Sequence, residues 1–121
     1  MIVEDENIVA EDLKQRLESM GYNIVGIASN GKDAIKKCKD TNPDLILMDI
    51  ILKGNIDGIK TAQNIIKHHN IPHIYLTGNY DKKIMKKAKT TQPSSYITKP
   101  FDDSEIQNAI QMAFIKNYKK L

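Results

Sequence analysis

Residues 42–58, NPDLILMDIILKGNIDG, decide how the rest of the chain is read. Leu45, Ile46, Leu47 and Met48 form an apolar run without polar alternation, the pattern of a strand covered on both faces. The run ends on Asp49, a carboxylate with no turn residue beside it, before more apolar residues and a loop. A buried strand that runs into a charge has two readings. Asp49 is a turn or cap residue, or it is a reactive group held at the mouth of a sheet.

Working outward, the same kind of short apolar run recurs as MIV (1–3), NIVGIA (23–28), HIYLT (73–77) and SYIT (95–98). The segments between them carry helical spacing. Ala10, Leu13, Leu17 and Met20 repeat at helical intervals and stop at Gly21; Ile59, Ala62 and Ile66 form a second set, and Ile106, Ala109, Ile110, Ala113 and Phe114 a third. Asn30-Gly31 separates the second strand from its helix, while Asn42-Pro43 and Ile71-Pro72 lead into the third and fourth strands. Asp102 or Asp103 is placed to cap the last helix, with Glu105 in its first turn. Strand and helix thus alternate through five repeats. Such a pattern predicts an α/β doubly wound, parallel five-stranded sheet in a (βα)5 three-layer sandwich, with the flavodoxin-like order 2-1-3-4-5.

At 121 residues the chain is expected to be one domain, 1–121, large enough for a core without staples. MIVEDE reads as a strand truncated at its start, which suggests a domain excised from something longer. A single cysteine, Cys38, excludes an internal disulfide and fits a reducing, cytoplasmic compartment. It falls in a helical pattern with Ala34 and Ile35 and reads as a small core residue. No run approaches the length of a membrane span. The net charge of +3 is too mild to imply direct nucleic-acid binding, and Tyr22, Tyr75, Tyr80 and Tyr118 lack a stacking pattern for it. His68, His69 and His73 fall close together, but neighbouring helical histidines point apart, so a helix end is favoured over a metal site.

Sheets of this kind bind ligands beyond the carboxyl ends of their strands, where the strand order reverses. The first strand ends on Glu4, Asp5 and Glu6, the third on Asp49, the fourth on Thr77 and the fifth on Lys99. Two carboxylates roughly 5 Å apart repel by about 3 kcal/mol at an effective dielectric of 20. One must then take a proton, or a cation must enter, and an all-oxygen set suits Mg²⁺. Each position also has a plain structural role: a helix cap for Glu4 or Glu6, a turn for Thr77, a solvated loop lysine for Lys99.

The ordered set IVEDE, PDLILMDI, IDGI, YLTG and SYITKPF resembles the motifs of the receiver domain of two-component response regulators, over essentially the whole chain. The resemblance implies that Asp49 is the phosphoacceptor. Asp5, Asp49 and the backbone carbonyl of Ile51 would hold Mg²⁺ (or Mn²⁺), with Glu4 acting through a coordinated water. Thr77 and Lys99 would bind phosphoryl oxygens, Thr77 and Tyr96 would form the switch, and Lys99-Pro100 would be cis. The implied phosphodonor is a sensor histidine kinase or a histidine phosphotransfer protein. An output partner or domain would read the face of the fourth helix, fifth strand and fifth helix. The protein itself would be a monomer or weak dimer.

Several positions depart from the common pattern. Ile51, two beyond Asp49, cannot orient an attacking water, so slow loss of the phosphoryl group is expected; Asn79 holds the matching position after Thr77. KGNIDGI lacks a proline and resembles the loop of receivers attached to sensor kinases, such as hybrid sensor histidine kinases, or to varied output modules. Ser95 stands where glycine is frequent, which leaves its backbone angles open. DKKIMKKAKT (81–90) reads as a solvated helix face around Ile84, Met85 and Ala88, or as an electropositive docking face. Two other function classes stay open: a non-phosphorylated pseudo-receiver used for interaction, and an aspartate-nucleophile phosphohydrolase of the haloacid dehalogenase type. The latter needs a second acid where Ile51 stands.

Overall fold

The computed structural model describes residues 1–52, 57–78 and 82–119, with side chains described to residue 116. The chain alternates β1 (Ile2–Val3), α1 (Asn7–Ser19), β2 (Ile27–Ala28), α2 (Gly31–Thr41), β3 (Ile46–Asp49), α3 (Gly58–His68), β4 (His73–Thr77), α4 (Lys82–Lys89), β5 (Ser95–Thr98) and α5 (Asp103–Lys119). All pairings are parallel and the order is β2-β1-β3-β4-β5, the flavodoxin-like arrangement.

Alternation along each strand builds two apolar layers, because successive side chains point to opposite faces. Ile2, Leu47, Ile74, Leu76 and Ile97 pack with Leu13 and Leu17 of α1 and Ile106, Ile110 and Ala113 of α5. Val3, Ala28, Ile46, Met48 and Tyr75 pack with Ala34 and Cys38 of α2, Ile59, Ala62 and Ile65 of α3, and Ala88 of α4. Cys38 is the buried core residue expected, and burial raises its thiol pKa. On α3 the buried stripe runs through Ile65, whereas Ile66 is exposed. Phe114 of α5 is likewise partly exposed rather than in the core.

The helix ends follow from local chemistry. The Asn30 side chain accepts from the Asp33 N–H at 2.8 Å and caps α2, and Asp57 does the same for α3 through Lys60 N–H at 2.8 Å. Asp102 accepts from the Ser104 N–H at 2.8 Å, settling which aspartate caps α5. Asn42 ends α2 in the left-handed region at φ 48°, and Gly21 follows α1 at φ 95°. Ser95 needs no left-handed backbone: among the described residues other than glycine, only Asn42 and Gln92 have positive φ.

β2 is shorter than the expected 23–28. It is an edge strand, and β1 offers it only a short ladder, through Ile2 N–H to Gly26 O at 3.0 Å and Glu4 N–H to Ala28 O at 2.9 Å. No helix among the described residues is long and apolar enough to cross a membrane.

Candidate functional site

The carboxyl ends of β1 and β3 lie side by side, with Val3 paired to Met48. The residues that follow these pairs, Glu4 and Asp49, therefore emerge together, and Asp5 joins them. Each of the three offers a carboxylate oxygen within 4.8 Å of the others. Glu4 and Asp49 are buried, and Asp5 is partly so.

Such crowding is relieved by Lys99, which follows β5. Its Nζ lies 2.8 Å from Asp49 Oδ2 and 3.2 Å from Glu4 Oε2. Burial, then the charge of Asp49, pushes Glu4 up to about 7, against the Glu6 N–H and Lys99, which favour its anion. Burial works to lower the Lys99 pKa, but the hydrogen bond and charge of Asp49, with those of Glu4, outweigh it and raise the value. The ammonium is thus held charged against the two acids.

The remaining contacts tune the carboxylates. Glu4 Oε1 accepts from the Glu6 N–H at 3.2 Å, so Glu4 rather than Glu6 uses its side chain at the start of α1; Glu6 sits at the cap position without a side-chain cap bond. Asp49 Oδ1 accepts from the Ile51 N–H at 3.2 Å. The Ile51 side chain is apolar and 44% exposed, so only its backbone can serve the cluster.

Thr77 is buried at the end of β4, and its carbonyl accepts from the Lys99 N–H at 2.8 Å. The Lys99-Pro100 peptide is cis, as expected. Tyr96 lies farther back on β5, 38% exposed, with its ring stacked on that of Tyr75 at a centroid distance of 6.0 Å. Asn79 and residues 53–56 of the KGNIDGI loop lie outside the described residues. The α4 lysines are exposed while Ile84, Met85 and Ala88 face the core, an arrangement common to the solvated-face and docking-face readings of that helix.

Two contributors were not legible in the sequence. Gly58 packs on the backbone of Asp49 and Ile50: its N–H donates to Ile50 O at 2.8 Å, and a Cβ there would stand 2.6 Å from that same oxygen. The Asp57-Gly58 pair was a signal for a turn but not for this contact. Arg16 of α1 donates to the carbonyl of Phe101, two residues past Lys99, at 2.9 Å. Nothing in the spacing of α1 announces that reach.

An all-oxygen set of three carboxylates, crowded enough to push one pKa upward, has the chemistry of a site for a hard divalent cation. Beside it stand a fixed ammonium and a buried hydroxyl-bearing residue. The arrangement can present one carboxylate as a nucleophile and neutralise an incoming anion.

A family model for the response regulator receiver domain matches residues 1–111. Relatives include the transcriptional regulatory protein PdtaR of Mycobacterium tuberculosis, 33% identical over 113 residues that take in 93% of this chain and 55% of PdtaR. The phyllosphere-induced regulator PhyR of Methylorubrum extorquens is 30% identical over 114 residues, 93% of this chain and 42% of PhyR. The chain spans about half the length of the curated relatives it matches. Among solved structures, the signal receiver domain of a modulated diguanylate cyclase from Desulfovibrio desulfuricans aligns with a TM-score of 0.95 at 35% identity, covering 99% of this chain and 95% of that one.

Proposed function

This chain belongs to the response regulator receiver domain family, and on that premise we propose that it is a phosphoacceptor whose nucleophile is Asp49. The observation that carries the reading is the contact of Lys99 Nζ with Asp49 Oδ2 at 2.8 Å, within a cluster of three carboxylates. The phosphodonor is a phosphohistidine on a sensor histidine kinase or a histidine phosphotransfer protein. A carboxylate oxygen of Asp49 attacks phosphorus, the P–N bond breaks, and its electron pair leaves on the imidazole nitrogen.

Such a transfer asks the protein mainly for alignment and charge neutralisation. Lys99 already sits on the attacking carboxylate and meets the equatorial oxygens as they arrive. Thr77 supplies a hydroxyl to another of them. Asp5, Asp49 and the Ile51 carbonyl would hold Mg²⁺, with Glu4 acting through a coordinated water. When bound, that ion neutralises the crowded acids and the phosphoryl oxygens. Ile8 follows the acids of the first strand and Ile51 follows Asp49, and the exposed apolar side chains of both suit a protein surface as the donor's carrier.

The switch follows from the added charge. Thr77 moves toward the phosphoryl group, the Tyr96 ring turns into the space left behind, and the α4–β5–α5 face changes for an output partner or domain.

Labelling with acetyl phosphate tests the reading. Mg²⁺-dependent, stable incorporation is expected in the wild type and none in Asp49→Asn. Uptake by Asp49→Asn at the wild-type rate would remove Asp49 from its role. Rapid turnover to free phosphate would favour a phosphohydrolase, and no label at all an interaction module.

A further inference from the structure

Arg16 lies in the second half of α1, away from the acid cluster, yet its guanidinium is shared among three partners. One nitrogen (Nη1) donates to the Phe101 carbonyl at 2.9 Å and lies 3.4 Å from Asp103 Oδ1. Another (Nε) pairs with Asp12 Oδ2 at 3.1 Å, one turn back on α1. The side chain is about one-third exposed, so these contacts are partly shielded from water.

Phe101 is two residues past Lys99. At the near end of the same short segment, the Lys99 N–H donates to the Thr77 carbonyl at 2.8 Å. Pro100, between them, has no N–H to give. The segment is therefore tied on one side to β4 and on the other to α1, and the Lys99 side chain leaves from between the two ties. Its Nζ then arrives 2.8 Å from Asp49 and 3.2 Å from Glu4. The helix that carries Arg16 begins at Asn7, directly after Glu4, Asp5 and Glu6, so one helix runs from the acids of the first strand to the loop that delivers the ammonium.

We propose that Arg16 is a positioning residue for Lys99: it clamps the Lys99–Phe101 segment to α1 so that the ammonium meets Asp49 in register. The proposal rests on the reading of Asp49 as phosphoacceptor. A planar guanidinium engages a carbonyl and two carboxylates at once, which an ammonium cannot reproduce. Without it the loop is tied at one end only, and the flexible lysine stem samples positions that do not reach the reacting oxygens. A bare structural staple between α1 and the start of α5 would also stabilise the fold, but it would not act through Lys99.

A double-mutant cycle separates the two. Initial rates of acetyl phosphate labelling at saturating Mg²⁺ are compared for the wild type, Arg16→Ala, Lys99→Ala and the pair. Arg16→Ala is expected to slow labelling about tenfold, with Mg²⁺ affinity unchanged, Arg16→Lys intermediate, and no further loss on the Lys99→Ala background. An unchanged rate in Arg16→Ala, or the same factor on both backgrounds, overturns the clamp. Arg16→Gln, which keeps a donor for Phe101 without the charge, replaces the alanine variant if that one does not fold; slower labelling than the wild type on the Lys99 background only is expected, and an unchanged rate overturns the clamp. If the wild type takes no label, the phosphoacceptor reading fails, and the clamp is read instead from the nitrogen-15 resonance of Lys99 Nζ. A shift of that resonance in Arg16→Ala supports the clamp, and an unmoved one overturns it.

Discussion

Gly58 marks the closest approach of α3 to the backbone that carries Asp49. The space a methyl group would need is filled by main-chain atoms of Asp49 and Ile50, which cannot rotate away as a side chain could. Gly58→Ala must therefore push the start of α3 off the end of β3. A loss of about 3 kcal/mol is expected, the upper end for overpacking, read as a lowered urea midpoint. Acetyl phosphate labelling should fall with it, because the displaced atoms belong to Asp49 itself. A variant with an unchanged midpoint would show that the contact is loose. The same scale explains what the sequence withheld. That Asp49 ends a buried strand was plain from LILMD, but that its carboxylate shares an ammonium with Glu4 depends on residues 50 and 95 positions apart.

At the scale of elements, the strands read best where the ladder is long, as in the four residue pairs that join β4 to β5. HIYLT and SYIT coincide with β4 and β5, whereas NIVGIA shrank to Ile27–Ala28 at the sheet edge. Apolar pattern tells which residues can be buried; ladder partners decide how many become strand. The helix starts were legible from their caps, because a cap is chemistry between near neighbours. Asn30→Ala removes the acceptor for the Asp33 N–H and should cost about 1 kcal/mol in thermal or urea unfolding. The labelling rate should not change, since α2 contributes no residue to the acid cluster. A change in rate without a change in stability would contradict this division between scaffold and site. The reach of Arg16 to Phe101 was illegible for the opposite reason, since it joins elements at opposite ends of the chain.

At the scale of the whole molecule, a second polar group of residues sits in the core at the far end of the sheet. Thr91 Oγ1 donates to Ala88 O at 2.7 Å and is in contact with His73 Nε2 at 3.0 Å and the Tyr75 hydroxyl at 2.6 Å. With its one proton given to Ala88, the hydroxyl accepts from the other two, so the ring of His73 carries its proton on Nε2. Burial pushes the His73 pKa down to about 4 from 6.5. The unfolded chain therefore binds a proton near pH 6.5 that the folded chain resists until about pH 4. The stability that neutral His73 confers is complete above pH 6.5 and is lost as the pH falls toward 4. By pH 5 this amounts to about 2 kcal/mol. The stability difference between wild type and His73→Gln should accordingly shrink by that amount between pH 7.5 and pH 5 in urea titrations. Comparing the two chains cancels every other titrating group, the acid cluster included. A difference that stays constant with pH would mean that His73 is hydrated in the folded protein.

Tyr75 ties this core group to the Tyr96 ring stacked on it. The chain contains no tryptophan and five tyrosines, and these two are held at 28° between ring planes, so their transitions couple in a way that isolated phenols do not. Near-ultraviolet circular dichroism should then carry a contribution from this coupled pair, one ring anchored in the core and the other on the strand that leads to Lys99. The molecule carries its own optical gauge of where Tyr96 stands, readable without dye, label or mutation.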